Sequence, residues 1–320
     1  MASRVENEHP IELTAPDISA YKAGNTGIDY VTTFDSGVPG PNVLVFAVVH
    51  GNEICGAIAF DDFFKSGLRP RTGKLTMAFG NVDAYLSFDP ADPTVSRFLD
   101  EDFNRVWSDD ILDGPRQSRE LTRARTLRPL VAEADFLLDI HSMTQKTEAL
   151  MIAGPIAKGR AISRQVGVPR IVVSDRGHAA GTRMRDYRDF INPESPKNAL
   201  LVECGQHWEQ SSADIAKETL YRFLAVTGTL STDDIASKIG PTPPPQQFIE
   251  VSGPVTLMTD NFRFVKPFVG FEVIEKAGTV IAHDGDEEIV TPYDNCVLIM
   301  PTARLEVGRS AVRLGRVLVE

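Results

Sequence analysis

Residues 43–64 read VLVFAVVHGNEICGAIAFDDFF. Val43 to Val49 is a continuous apolar run of the kind carried by a strand buried on both faces of a sheet. From Ile54 to Phe64 the apolar residues return at helical spacing, so a helix follows the strand. His50-Gly51-Asn52-Glu53 fills the turn between them, with Gly51 read as the residue that lets the chain reverse sharply.

The same texture recurs outward from this unit. Leu75 to Phe79, Phe136 to Ile140, Ile171 to Val173 and Leu200 to Val202 are further buried-strand runs. Helix-period stretches cover Arg116 to Glu133, after a Gly114-Pro115 break, and Ser211 to Leu230, where Ser211 or Ser212 can cap the start. Strand and helix alternating over about 200 residues predict an α/β domain with a doubly wound, mostly parallel sheet and helices on both faces. Gly27 to Phe34 alternates like a half-exposed edge strand. At Pro241 the Pro-Thr-Pro-Pro-Pro run makes a stiff spacer, so the expected domains are 1–240 and a small all-β module, 241–320.

The chain has 320 residues, with 33 Lys+Arg against 44 Asp+Glu, and its net charge of −11 argues against a nucleic-acid partner. No stretch approaches the roughly 20 apolar residues of a membrane span, and the N-terminus lacks the pattern of an export signal. Cys55, Cys204 and Cys296 are odd in number and far apart, which fits a reducing cytoplasm better than a disulfide framework.

In open parallel sheets ligands bind beyond the carboxyl ends of the strands. Three runs end there in residues that suit one metal: His50 with Glu53, His141, and Glu203. Three residues apart at a helix opening, His50 and Glu53 can turn an imidazole nitrogen and a carboxylate oxygen toward one cation. With His141 they form the ligand set of a catalytic zinc, one per chain, which lowers the pKa of a bound water toward ~7 and polarises a carbonyl. Glu203 is the candidate for the separate carboxylate that takes the proton and returns it to a leaving amine. Asp139, two residues before His141, can orient a ligating imidazole. Taken singly, each of these residues is more often a loop hydrogen-bonder or a helix cap; only their combination makes a ligand set.

Four blocks resemble, in order, the signatures of the succinylglutamate desuccinylase/aspartoacylase family of zinc-carboxypeptidase-like hydrolases: His50-Gly51-Asn52-Glu53, Asp102-Phe103-Asn104-Arg105, Asp139-Ile140-His141-Ser142 and Val202-Glu203-Cys204-Gly205. The resemblance implies that His50, Glu53 and His141 hold zinc and that Glu203 is the general acid/base. It further implies that Asn104 and Arg105 bind the carboxylate of the substrate's amino-acid part and that Arg97 stabilises the tetrahedral oxyanion. Tyr293 stands where a family tyrosine could reach the site from the C-terminal module. For a dicarboxylic acyl group the family uses another basic residue before the catalytic Glu, and Arg183, Arg185 and Arg188 cannot be ranked for that role.

The resulting expectation is a zinc-dependent amidohydrolase that cleaves small N-acyl amino acids. A metallocarboxypeptidase acting on short peptides and a non-catalytic binding protein are the rivals. The β-rich tail is expected either to narrow the pocket mouth or to form the interface of a homo-oligomer. His178 and His207 are read as ordinary loop residues.

Overall fold

The computed structural model describes residues 9–177, 180–302 and 305–318, which leaves His178 outside the described residues. Eleven strands form one sheet: β1 (Val31–Asp35), β2 (Asn42–Ala47), β3 (Lys74–Phe79), β4 (Phe136–Met143), β5 (Leu150–Ile152), β6 (Ile171–Ser174), β7 (Asn198–Gln206), β8 (Gln247–Thr256), β10 (Glu272–Ile274), β13 (Cys296–Ile299) and β14 (Ser310–Val317). Their spatial order is β1-β3-β2-β4-β7-β5-β6-β8-β14-β13-β10. A second, antiparallel sheet holds β9 (Phe262–Phe264), β11 (Val280–Asp284) and β12 (Glu287–Val290) in the order β12-β11-β9.

The expected doubly wound core is present. β3, β2, β4 and β7 run parallel, and their Val, Leu, Ile and Phe side chains are buried on both faces. The helices Cys55–Ser66, Ala157–Val166 and Gln210–Val226 cover one face, and Arg119–Glu133 packs on the other with Phe103, Trp107 and Tyr187. β5, not anticipated from the sequence, runs antiparallel to β7 and parallel to β6, so the sheet as a whole is mixed. β1 forms the expected edge, antiparallel to β3.

Two helix starts move for physical reasons. Ser118 caps the helix Arg119–Glu133 by accepting from Leu121 N at 2.9 Å, so that helix begins at Arg119 rather than at Arg116. Ser211 and Ser212 lie inside the helix Gln210–Val226, and the Ser212 hydroxyl donates back to the Glu209 carbonyl at 2.8 Å.

The segment after Pro241 has its own small core around Leu257, Phe262, Ile281 and Leu298. It nevertheless continues the main sheet, because β8 pairs in parallel with β6 and β14 pairs antiparallel with β8. Among the described residues no helix is long and apolar enough to cross a membrane.

Candidate metal centre and active site

β2 ends at Ala47, and the chain then turns through Val48, whose φ of +61° puts a buried β-branched residue in the left-handed region. Such a conformation costs about 1–3 kcal/mol and persists only where packing imposes it. Gly51 is needed for a different reason from the one expected. Its φ is not positive; a Cβ there would lie 2.3 Å from the Ala84 carbonyl carbon and 2.4 Å from the Ser96 oxygen. Close approach to the segments after β3 therefore fixes the path from His50 to Glu53.

The Glu53 carboxylate is the hub of the site. Its Oε1 is 2.7 Å from His50 Nδ1 and its Oε2 is 2.8 Å from His141 Nδ1, with all three residues buried. Ser142 N donates to Oε2 at 3.2 Å. On the far side of each imidazole stands another carboxylate: Asp102 Oδ1 lies 2.9 Å from His50 Nε2, and Asp139 Oδ2 lies 2.8 Å from His141 Nε2. When each Nε2 donates to its aspartate, each Nδ1 presents a lone pair toward Glu53, and three acceptors converge on one point. A cation satisfies that arrangement, and ligating histidines held from behind by carboxylates are the usual support of a metal site. The candidate ligand atoms of His50, Glu53 and His141 all lie within 4.8 Å of one another, so the donor set fits a zinc-type ion.

The electrostatics follow from this packing. Burial raises the Glu53 pKa, but His50 and His141 outweigh it and hold the carboxyl well below its usual range. Burial pushes His141 down, and Asp139 with Glu53 overcomes it, so that imidazole is held well above its usual range.

His141 and Glu203 do not follow their strands as expected but lie within them, because β4 continues to Met143 and β7 to Gln206. They are register partners on these adjacent parallel strands. Glu203 Oε2 is enclosed without a hydrogen-bond partner, and burial pushes its carboxyl up to about 8. Arg97 reaches the same cluster, with Nη1 3.2 Å from Glu53 Oε1 and Nη2 3.4 Å from Asp102 Oδ2. The loop that carries it is anchored by Glu120, whose carboxylate accepts from the backbone N–H of Leu99, Asp100 and Glu101 and from Asn81 Nδ2.

Asn104 stands behind His141: its Nδ2 is 3.2 Å from His141 Nε2, and its Oδ1 accepts from Met184 N at 2.8 Å. The Arg105 guanidinium donates to the Asn104 carbonyl at 2.8 Å. Tyr293 is not brought to this cluster. Its hydroxyl is 2.5 Å from Ser252 Oγ and its ring lies under Arg316, both within the C-terminal strands. The three arginines that sequence could not rank now separate. Arg188 is exposed on Asp109, Arg183 is clamped between Asp175 and Asp186, and Arg185 is tied to Asp186 and to the Ala153 and Ala199 carbonyls. Asp102 as the partner of His50 was missed, although it opens the second signature block, because nothing local says which imidazole it faces.

Residues 39–227 match the profile of the succinylglutamate desuccinylase/aspartoacylase catalytic domain. The chain is 24% identical over 293 residues to a succinylglutamate desuccinylase of Vibrio campbellii, covering 84% of this chain and 79% of that one. Among solved structures it resembles a succinylglutamate desuccinylase from Vibrio cholerae (TM-score 0.67, 18% identity, 91% of this chain and 86% of that one). It also resembles murine aminoacylase 3 (TM-score 0.59, 18% identity, 88% of this chain and 96% of that one).

Proposed function

The chain belongs to the succinylglutamate desuccinylase/aspartoacylase family, and from that premise we propose that it is a zinc-dependent amidohydrolase that cleaves an N-acyl amino acid into a carboxylate and a free amino acid. The observation that carries the reading is the partnerless Glu203 carboxylate, in register with His141 and beside a donor set of two imidazoles and a carboxylate.

Zinc held by His50, Glu53 and His141 would supply Lewis acidity to a carbonyl and to water. The chain's own residues supply the rest. Burial pushes Glu203 up to about 8, which puts its proton exchange within the working pH range of a general acid/base; as the carboxylate it takes a proton from the attacking water, and as the resulting acid it gives that proton to the leaving nitrogen. Arg97 keeps its charge because Asp102, Glu53 and Glu203 outweigh its burial, and it donates to the oxygen that becomes negative as the carbonyl carbon turns tetrahedral. Arg105, beside Asn104, is the docking cation for the substrate's α-carboxylate.

The test is a panel of N-acyl amino acids and short peptides assayed with zinc-loaded protein and its Glu203→Gln variant. Hydrolysis of acylated amino acids that is lost in the variant supports the reading. Cleavage of the peptides alone favours a carboxypeptidase, and turnover unaffected by the substitution overturns the mechanism.

A further inference from the structure

The C-terminal strands send Arg313 toward this site. β14 carries Arg313, whose Nη1 donates to Asp175 Oδ2 at 3.0 Å and whose side chain is 17% exposed. The same Asp175 oxygen accepts from Arg183 Nη1, also at 3.0 Å. Arg183 spends three nitrogens on Asp175 and Asp186, and Arg185 spends its two terminal nitrogens on Asp186 and on backbone carbonyls, so both are committed to holding the fold.

Arg313 and Arg105 differ from that pair. Each makes one tethering bond, to Asp175 and to the Asn104 carbonyl, and the rest of each guanidinium has no partner among the described residues. Arg313 lies close enough to feel the charges of Asp175, Arg183, Glu203 and Asp186. Arg105 likewise feels Asp102, Arg97, Arg183 and Arg313. Burial, reinforced by Arg183, holds Arg313 below the usual guanidinium range, and it remains a cation at neutral pH. Arg313, within reach of the Glu203 charge, and Arg105, within reach of Arg313, are largely desolvated cations with open donor forks; they are under-compensated, and an anion that meets these forks recovers the missing interactions.

We propose that Arg313 is a substrate-binding residue that takes a second carboxylate of the N-acyl amino acid, distinct from the one docked on Arg105, so that the C-terminal module sets which acylated amino acids are accepted. The inference rests on the amidohydrolase reading. Asp175 fixes one nitrogen of the guanidinium and so pre-orients the planar fork, which matches a carboxylate by two parallel bonds. That carboxylate belongs either to the far end of the acyl chain or to the amino-acid side chain.

The experiment measures kcat and KM on zinc-loaded wild type, Arg313→Gln and Arg313→Lys. N-succinylalanine is compared with N-butanoylalanine, and N-acetylglutamate with N-acetylglutamine, so that each pair differs in one carboxylate. Arg313→Gln is expected to raise KM about tenfold or more for one dicarboxylate, with kcat and the uncharged counterpart changed less than about threefold. Which pair responds identifies the end of the substrate that is bound, and Arg313→Lys falls between the two proteins. Equal losses on charged and uncharged members, or no change on either dicarboxylate, overturn the proposal. Should the Gln variant not fold, the Lys variant decides by the same ratio. If wild type hydrolyses none of these compounds, the amidohydrolase reading fails separately, and calorimetric binding of the two dicarboxylates decides: binding weakened about tenfold by Arg313→Gln supports the proposal, and equal or undetectable binding overturns it.

Discussion

His141 and Glu203 are register partners on adjacent parallel strands, one imidazole turned to the Glu53 hub and one carboxylate left without a hydrogen-bond partner. The pairing sets the proposed proton-transfer group beside the candidate ligands by backbone geometry alone, without a loop between them.

Glu203→Gln keeps the shape and removes the proton-carrying group. The expected outcome is a fall in kcat of about 10²–10⁴-fold with little change in KM, read by steady-state kinetics on folded, zinc-loaded protein. A KM effect alone would assign Glu203 to binding.

The two aspartates behind the imidazoles should matter for the metal more than for the fold. Asp102→Asn and Asp139→Asn are each expected to weaken zinc binding by about 10–100-fold, whereas His141→Ala should abolish it. Elemental mass spectrometry after dialysis against a graded chelator measures both effects. Unchanged zinc retention in all three proteins would remove the metal centre from this cluster.

Glu120 is fully buried and accepts four hydrogen bonds from the segments that lead to Arg97 and Asp102. Glu120→Ala leaves those donors unsatisfied, so a loss of about 2–4 kcal/mol in urea unfolding is expected, together with lower kcat/KM. A stable variant with normal activity would show that the loop holds itself.

Gly51→Ala forces a methyl group against the Ala84 and Ser96 backbone, where the nearest atoms lie 2.3–2.5 Å away. Overpacking of this kind costs about 1–3 kcal/mol and here also displaces His50 from Glu53. Thermal unfolding and zinc content should therefore fall together, and a variant that loses stability alone would separate the turn from the metal centre.

His207 is buried between the Ser142 and Thr144 hydroxyls, at 2.8 and 3.2 Å, and burial pushes its pKa down to about 3 from 6.5. The unfolded chain therefore binds a proton that the folded one refuses, and the stability this residue contributes is complete above pH 6.5 and is lost as pH falls toward 3. Wild type is expected to lose up to about 1.4 kcal/mol per pH unit relative to His207→Gln across that window, measured by urea unfolding at several pH values. A stability difference independent of pH would mean that His207 titrates normally.

Sequence alone determined what local periodicity and short spacing encode. The run Val43 to Val49 read as a buried strand, which the structure forms over Asn42–Ala47, the residues from Ile54 onward as a helix, and His50 and Glu53 in the turn between them as a pair able to face one cation. The four signature blocks likewise named the candidate ligands and the candidate base, because each block is contiguous in the chain. What sequence could not decide are the meetings of distant residues, which depend on strand register and on the close packing of turns. β5 inserted antiparallel beside β7, Asp102 turned behind His50, and Gly51 was required by atoms 33 and 45 residues away at Ala84 and Ser96. The C-terminal strands are the clearest case. Their pattern announced a separate β module and suggested Tyr293 as its contribution, but the pairing of β8 with β6 joined them to the main sheet, and the register of β14 on β8 carried Arg313 to Asp175 instead.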